Sequence, residues 1–248
     1  MHLAVIAPPQ PFNPLHQQQV AFGFVESPKP TTWVPTLPEL ERYATHEWGH
    51  LLCSLPALAK HHPDTQLYVD STFIGGKQCA GITLSLNSNP TTAAQAKALL
   101  LHYAGGMAAE ALADNPLATT LTLADKQLTS GQKDCLAMAA LAQHGEAQGW
   151  FPRHQVSLPL ALNDADKATH QELITHCRTI TQAPLIQEAL ATAHKLLQTL
   201  TSWQREQLSK ALVSQHKLNG DGIAQVLRKT ISHEQRQTII QRINEFTR

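Results

Sequence analysis

The chain has 248 residues, of which 42% are hydrophobic and only 15% are charged, and its 19 basic residues balance 19 acidic ones. This length allows one large domain or two small ones, and the apolar content suffices for a buried core. Because no block of like charges occurs, we expect neither nucleic acid nor an anionic membrane as the main partner. No apolar run reaches the roughly 18 residues that a membrane span needs, so none is expected.

The cysteines and the N-terminal segment bear on the cellular compartment. The four cysteines are scattered without a C-x-x-C pair, which argues against a disulfide framework and against a zinc site built of cysteines. The first residues contain a short apolar run without a basic leader, a pattern that does not indicate a secretory signal. We therefore expect a cytoplasmic protein with buried thiols.

The first predicted regular element is a helix that follows a proline- and glutamine-rich arm over residues 1–35. Thr36 and Glu39 have the spacing of a capping box. Apolar residues then recur at helical spacing as far as Leu55. Pro56 is expected to kink or end this helix.

Two strands and a second helix are predicted next. The segments QLYVDSTFI (66–74) and CAGITLSL (79–86) are typical of strands, and a pair of glycines joins them. The following helix starts with a second capping box, Thr92 with Gln95, and runs to about residue 114.

The rest of the chain is predicted to be mainly helical. A third helix is expected to start with Thr129 or Ser130 as its cap, and a loop covers about 144–162. Four amphipathic helices follow, at about 164–180, 184–200, 201–216 and 232–247. We find no internal repeat and no Walker-type glycine loop. The predicted fold class is mostly α with a small β-sheet and a C-terminal helical bundle.

The segment THEWGH places two histidines one helical turn apart. His46 and His50 project from one face of the predicted helix, and neutral imidazoles so placed can bind one zinc ion. Zinc lowers the pKa of a bound water from about 15.7 towards 7, and Glu47 can accept that water's proton and pass it to a leaving amine. Gly49 keeps the helix face thin for close packing. Two histidines that merely face solvent are the alternative.

A catalytic zinc site needs a third protein ligand, and the sequence offers two acids. Glu110 lies in an E-x-x-x-D pattern on the second helix, where a solvated helix face is the alternative. Asp134 lies near a helix N-terminus, where the helix dipole keeps a carboxylate ionised, although a simple N-terminal charge would look the same. The residues alone leave both acids open. His102 lies on the second helix before the glycine pair and could approach this site, but a surface role is expected for it.

Five segments, in the same order, resemble the FtsH-type AAA zinc metallopeptidases. ATHEWGHLL resembles the HEAGHAL segment of that family, and GGKQCAGITLSL resembles its edge-strand segment. YAGGMAAEAL is similar to LAGRAAEEL, and TSGQKDCLAMAALA to TGASNDLxxAT. The fifth segment, residues 188–223, resembles the family's C-terminal leucine pattern. The resemblance covers roughly residues 40–227 and implies a zincin-like peptidase domain.

The resemblance implies a role for each candidate site residue. His46, His50 and Asp134 would be the zinc ligands, and Glu47 would be the general base. Glu110 would orient a ligand histidine by accepting a hydrogen bond from its other ring nitrogen.

The resemblance also implies how substrate binds. An unfolded polypeptide would bind by strand addition along Gly81, Ile82, Thr83 and Leu84. This mode forms hydrogen bonds with the backbone of the substrate and does not depend on its side chains. A six-fold homo-oligomer and a separate unfoldase would be the partners besides substrate.

Several features depart from the family pattern. The sequence contains neither the family's ATPase module nor its membrane helix. Trp48 replaces a small residue and is expected to shape or crowd the pocket, while Met107 replaces an arginine and Ala111 a second glutamate. Lys133 replaces an asparagine beside Asp134. These departures suggest a specialised or catalytically weak protein.

The predicted function is a zinc-dependent endopeptidase that hydrolyses unfolded polypeptide or peptides. The peptidase domain is expected over residues 36–228, with the C-terminal helix at 229–248 packing on it. The alternative from another class is a non-catalytic zinc-binding or regulatory interaction module with the same fold. A metallopeptidase related to phage-repressor-cleaving proteins is a further alternative, which the long helical C-terminal half disfavours.

Overall fold

The computed structural model describes residues 32–33, 35–61, 65–69, 73–74, 80–83, 90–153 and 170–248. Within them the chain forms ten helices and five short strands, which confirms the predicted class of mostly α with a small sheet. The helices are α1 (Leu37–Leu52), α2 (Leu55–His61), α3 (Ala93–Asp114), α4 (Asp125–Ser130), α5 (Gln132–Ala147), α6 (His170–Thr181), α7 (Pro184–Leu197), α8 (Ser202–Gln215), α9 (Gly220–Thr230) and α10 (His233–Thr247). The strands are β1 (Thr32–Trp33), β2 (Gln66–Val69), β3 (Phe73–Ile74), β4 (Ala80–Thr83) and β5 (Lys217–Asn219). Most of the predicted arm, residues 1–31 and 34, lies outside the described residues.

Helix α1 begins where the sequence predicts and ends before the proline. The Glu39 carboxylate accepts a hydrogen bond from the backbone N–H of Thr36 at 2.7 Å, which stabilises the first turn. The helix ends at Leu52, so the expectation that Pro56 ends it is wrong. Pro56 instead lies in the first turn of α2, where its missing N–H costs no helical hydrogen bond.

Helices α1 and α3 pack against each other with their backbones in direct contact. A Cβ on Gly49 would lie 2.3 Å from the carbonyl oxygen of Gly105, and a Cβ on Gly105 would lie 2.4 Å from that of Gly49. No other residue type fits at either position without separating the helices. Because α3 also packs against α5, α7 and α10, it is the central helix of the fold.

The larger sheet has three antiparallel strands in the order β4-β2-β5. Leu67 in the central strand pairs with Ile82 on one side and with Leu218 on the other. The predicted strand 66–74 is wrong as one element, because β2 ends at Val69 and β3 pairs with β1 in a separate sheet. Strand β5 is not among the predicted elements.

The connection between α3 and α5 differs from the prediction. A helix was expected to start at Thr129 or Ser130, but α4 already covers these residues and α5 starts at Gln132. Gly131 separates the two helices, and a Cβ there would lie 2.3 Å from Cγ of Met107. The chain therefore bends at a glycine that is pressed against α3, and Asp134 stays in the first turn of a helix.

The C-terminal half follows the predicted pattern with one addition. Helices α7, α8 and α10 correspond to the predictions within a few residues. Helix α6 covers the described part of the predicted helix 164–180. Helix α9 is an unpredicted element, capped by the Asn219 side chain, which accepts from the backbone N–H of Gly222 at 2.9 Å. Of the helices in the described ranges, none combines the length and apolar character that a bilayer crossing requires.

The structure contains an internal repeat that the sequence analysis did not find. The turns α7–α8 and α9–α10 each carry a capping box, Thr201 with Gln204 and Ser232 with Gln235. Each turn also carries an arginine directly after the box glutamine, which donates to carbonyls at the end of the preceding helix. Corresponding residues are 31 positions apart. The repeat also keeps apolar residues at matching positions, such as Leu208 and Ile239.

The two turns are joined by a reciprocal pair of amides. Gln204 donates to the side-chain oxygen of Gln235 at 2.9 Å, and Gln235 donates back at 3.1 Å. Gln204 also donates to the Thr230 carbonyl, and Gln235 to the Thr199 carbonyl, at 2.9 and 3.0 Å. The matched contacts relate the turns by a local pseudo-two-fold axis.

The glutamine pair makes a prediction about stability. Because both amides are half-buried and each satisfies the other, Gln204→Ala and Gln235→Ala should each destabilise the protein by about 1–2 kcal/mol. The double variant should lose less than the sum by at least about 0.5 kcal/mol. Urea unfolding of the four proteins measures this coupling. As a control, the same four-protein comparison is made with Gln207→Ala in place of Gln204→Ala. If the losses of stability from the two single substitutions add up equally well in both comparisons, the pairing of Gln204 with Gln235 is contradicted.

Candidate metal centre

The structure brings together two histidines of α1 and one aspartate of α5. The rings of His46 and His50 lie edge to face with their centroids 4.6 Å apart. Oδ2 of Asp134 lies 3.0 Å from Nε2 of His46 and 3.6 Å from Nε2 of His50. All three residues are buried, and one ligand atom of each lies within 4.8 Å of the others. This group could hold a metal ion.

The donor set fits zinc. Two imidazole nitrogens and one carboxylate oxygen are a frequent protein contribution to a catalytic zinc site. Ligand atoms about 2.0–2.1 Å from a tetrahedral zinc are separated by about 3.4 Å, and the two Nε2–Oδ2 distances, 3.0 and 3.6 Å, bracket this value. The site can therefore accept an ion with small side-chain movements.

The second ring nitrogen of His46 is held by Glu110. Nδ1–H of His46 donates to Oε1 of Glu110 at 2.7 Å, and Glu110 is only 1% exposed. The other oxygen, Oε2, accepts from the hydroxyl of Ser130 at 2.9 Å. Because a carboxylate only accepts, Nδ1 of His46 carries a proton, and Nε2 is the ring nitrogen that would bind a metal ion.

The second ring nitrogen of His50 is held by the backbone. Nδ1–H of His50 donates to the carbonyl oxygen of His102 at 2.7 Å. The tautomer is fixed in the same way, with Nε2 free to bind. Sequence reasoning did not find this partner, and no residue pattern signals it, because the acceptor is a main-chain atom that the α1–α3 contact brings into range.

His102 itself is buried, so the expected surface role is wrong. Its ring lies 4.8 Å from that of His50, centroid to centroid, and its Nδ1 is 2.9 Å from the hydroxyl of Ser54. Burial, with the neighbouring His50, lowers the pKa of His102 to about 3. His102 is therefore a neutral ring that packs beside a candidate ligand.

Gly106 makes room for the first histidine. A Cβ on Gly106 would lie 2.5 Å from Nε2 of His46 and 2.6 Å from Cε1. The ring of His46 thus occupies the space that any side chain at this position would fill. The glycine pair of α3 has two separate uses, since Gly105 contacts the backbone of α1 and Gly106 contacts the ring.

The charges of the site shift its acids in opposite directions. Burial raises the pKa of Glu47 to about 7, and the charges of Asp134 and Glu110 act in the same direction. Burial also disfavours the charged form of Asp134, but the neighbouring His50 and the hydrogen bond to His46 outweigh it, so that this pKa lies below its ordinary value. Glu47 is thus the acid of the pair that can hold a proton near neutral pH.

Three departures from the family pattern can be located. Trp48 is 2% exposed and belongs to the hydrophobic core, and its indole N–H finds no hydrogen-bond partner among the described residues. Met107 is fully buried, and its sulfur accepts from the thiol of Cys135 at 3.7 Å. Lys133 is exposed beside Asp134. Met107 therefore packs under the start of α5 rather than in a polar environment.

The predicted substrate strand coincides in part with β4. Gly81, Ile82 and Thr83 lie in β4, whereas Leu84 lies outside the described residues. Among the described strands β4 has a neighbour on one side only, which is β2. Its other edge is the one at which an added strand would pair.

No protein-family model matches this chain, and a comparison with curated proteins gives no significant match. The resemblance to the FtsH-type peptidases therefore remains an interpretation of the sequence segments.

Substitution of the ligand candidates makes a direct prediction about metal content. His46→Ala, His50→Ala and Asp134→Ala should each weaken zinc binding by more than the roughly 10–100-fold that loss of an outer partner costs. Elemental analysis and competition with a chelating dye measure this, with the exposed His233→Ala as control. Full zinc in Asp134→Ala together with its loss in Glu110→Ala would move the third ligand to Glu110.

Gly106→Ala should weaken metal binding without removing a ligand. The added methyl group would push the His46 ring away from Asp134, and such overpacking also costs about 1–3 kcal/mol of stability. Chelator competition should show an affinity at least about tenfold lower than that of the wild type. Gly149→Ala is the control, since Gly149 has a positive φ of 72° and a Cβ there would meet no atom of the described residues within 4 Å, so its substitution strains the backbone without touching His46. Equal metal affinity in the two variants would show that the ring does not depend on Gly106.

Proposed function

We propose that this protein is a zinc-dependent endopeptidase that hydrolyses unfolded polypeptide or short peptides. The observation that carries the proposal is the burial of Glu47 directly beside a group of three side chains that could hold a metal ion. A zinc ion held by His46, His50 and Asp134 would supply a Lewis acid and a water molecule of lowered pKa.

Glu47 would act as the general base and then as the acid. It is 6% exposed, and its pKa of about 7 lets both its charged and its neutral form exist near neutral pH. A carboxylate poised in this way can accept a proton from the attacking water and return it to the leaving amine. The neighbouring acids cannot replace it, because Glu110 and Asp134 are already engaged with the ring nitrogens of His46.

The remaining residues of the site would hold the ligands in place. Glu110 and the carbonyl of His102 fix the tautomers and the ring planes of His46 and His50. Outer partners of this kind raise ligand basicity and limit ring rotation. The contact of α1 with α3 supplies both partners, and so both histidines are held by contacts between helices rather than by loops.

The substrate would be bound as an added strand along β4. The edge of β4 at which no other described strand pairs presents backbone groups, and hydrogen bonding to a backbone does not depend on the side chains of the substrate. This mode favours an extended chain over a folded protein. The scattered cysteines support a cytoplasmic location. The resemblance to FtsH-type peptidases supports a six-fold homo-oligomer, and a separate unfoldase could deliver substrate.

Glu47→Gln tests the proposed chemistry. The substitution keeps the shape of the side chain but removes its basicity, so hydrolysis of casein or a labelled unfolded peptide should fall by about 100-fold or more. Zinc content should stay at the wild-type level, because Glu47 is not a proposed ligand. Glu41→Gln, on the same helix but away from the ligand group, should retain activity, and removal of zinc with a chelator should abolish it.

The outcome also separates the proposal from its alternative. Wild-type protein that is fully loaded with zinc and yet cleaves neither substrate would contradict the peptidase and favour the non-catalytic zinc-binding module. Equal activity of Glu47→Gln and wild type would leave a peptidase but assign its base elsewhere.

A further inference from the structure

Ser130 joins the two halves of the candidate metal centre. It is the last residue of α4, next to the bend at Gly131, and it lies four residues before Asp134. Its hydroxyl donates to Oε2 of Glu110 at 2.9 Å, across the gap between α4 and α3. Glu110 uses its other oxygen to hold Nδ1 of His46.

These contacts form a closed circuit. It runs from Nε2 of His46 to Oδ2 of Asp134, back along the chain through the bend at Gly131 to Ser130, across to Glu110, and from Glu110 to Nδ1 of His46. Each step is a contact of 3.0 Å or less or a short stretch of chain. The Ser130 hydroxyl therefore bears on the orientation of His46, a candidate ligand, through Glu110.

We propose that Ser130 is a positioning residue for metal binding, which acts through Glu110 on His46. The proposal rests on the metal centre proposed above. Oε2 of the buried Glu110 has no other hydrogen-bond donor among the described residues, because the nearest cation, Arg42, lies 3.9 Å away. Without the hydroxyl, a desolvated carboxylate oxygen loses its donor, and the bond from Nδ1 of His46 is the hydrogen bond among the described residues that still orients the carboxylate.

The hydroxyl has competing acceptors, and the charge on the carboxylate decides between them. The Ser130 oxygen also lies 3.0 Å from the Lys126 carbonyl and 3.2 Å from the Gln127 carbonyl. One hydroxyl proton serves one acceptor best, and a hydrogen bond to a carboxylate is roughly twice as strong as one to a neutral carbonyl. The bond to Glu110 is also the shortest of the three.

The bend between α4 and α5 is also held by apolar contacts with Met107, which do not involve Ser130. Gly131 is pressed against Met107, and the thiol of Cys135 donates to the Met107 sulfur at 3.7 Å. Ser130→Ala leaves both contacts in place, so α5 should keep its packing. The substitution therefore removes one hydrogen bond to Glu110 without removing the attachment of the helix.

The test is a titration of the metal-free full-length protein with Co²⁺, whose visible absorption reports ligand geometry. Ser130→Ala should bind Co²⁺ about 10–100-fold more weakly than the wild type, with a changed absorption band, while its far-UV circular dichroism stays the same. Ser130→Thr restores a hydroxyl and should return affinity and spectrum to wild-type values. Thr129→Ala is the matched control, because the Thr129 hydroxyl donates only to the Asp125 carbonyl of its own helix, at 2.8 Å.

The possible results separate this proposal from the metal centre on which it rests. Wild-type protein that binds no Co²⁺ would overturn the metal centre and the role of Ser130 with it. Wild-type affinity and spectrum in Ser130→Ala, with weakened binding in Glu110→Gln, would leave the centre standing and overturn the role of Ser130 alone. Weak binding in Ser130→Ala that Ser130→Thr does not restore would also overturn it, since loss of the hydroxyl would not be the cause.

Discussion

The direct backbone contact between α1 and α3 is the constraint on which the candidate metal centre depends. Gly49 and Gly105 let the two helices approach until carbonyl oxygens face α-carbons. Only at this separation does the carbonyl of His102 reach Nδ1 of His50, and only because Gly106 has no side chain does the His46 ring fit beside α3. Side-chain packing alone would hold two helices at 8–10 Å and place these partners out of reach.

The same contact explains why so many ionisable groups can be buried together. His46, Glu47, His50, Glu110 and Asp134 are all less than one-tenth exposed. Burial of so many polar groups disfavours folding unless each finds a partner, and apolar residues of similar size would often be more stabilising. The circuit through Glu110 and Asp134 compensates for burial around His46, whereas Glu47 is left with a raised pKa. A stable fold does not need this arrangement, which favours a functional reason for it.

Local sequence signals explain how much of the fold could be predicted. Helix α1 was predictable because its cap, Thr36 with Glu39, and its apolar spacing agree. The break at Gly131 was not, since the glycine is explained by Met107, a residue distant in sequence that occupies the space of its side chain. Strand β5 has only three residues, and its pairing with β2 joins segments that are far apart along the chain. The glutamine pair of the repeat is likewise a tertiary contact, visible only after the helices are placed.

In the candidate site, too, some features could be predicted from local sequence and others could not. The spacing of His46 and His50 predicts that their rings share a helix face, because four residues are close to one turn. Asp134 was proposed through a resemblance of segments, since no local pattern links it to α1. Neither residue type nor spacing predicted three further features, which are the carbonyl of His102, the space at Gly106 and the hydroxyl of Ser130. Each acts through an atom, or the lack of one, that matters only at a particular tertiary contact.

The pKa values of Glu47 and Asp134 differ because of the contacts of the two side chains rather than because of their burial. Burial disfavours the carboxylate of Glu47 and that of Asp134 alike, yet their pKa values move apart. Asp134 lies 3.0 Å from a ring nitrogen of His46, so the histidines hold it charged. The pKa of Glu47 is raised by burial and by the charges of Asp134 and Glu110, and only the charge of His46 opposes this. Two carboxyl groups whose environments separate their pKa values are the usual basis for one permanent anion and one proton carrier. In the proposed peptidase, a metal ion would bind the charged acid and leave the other to exchange protons.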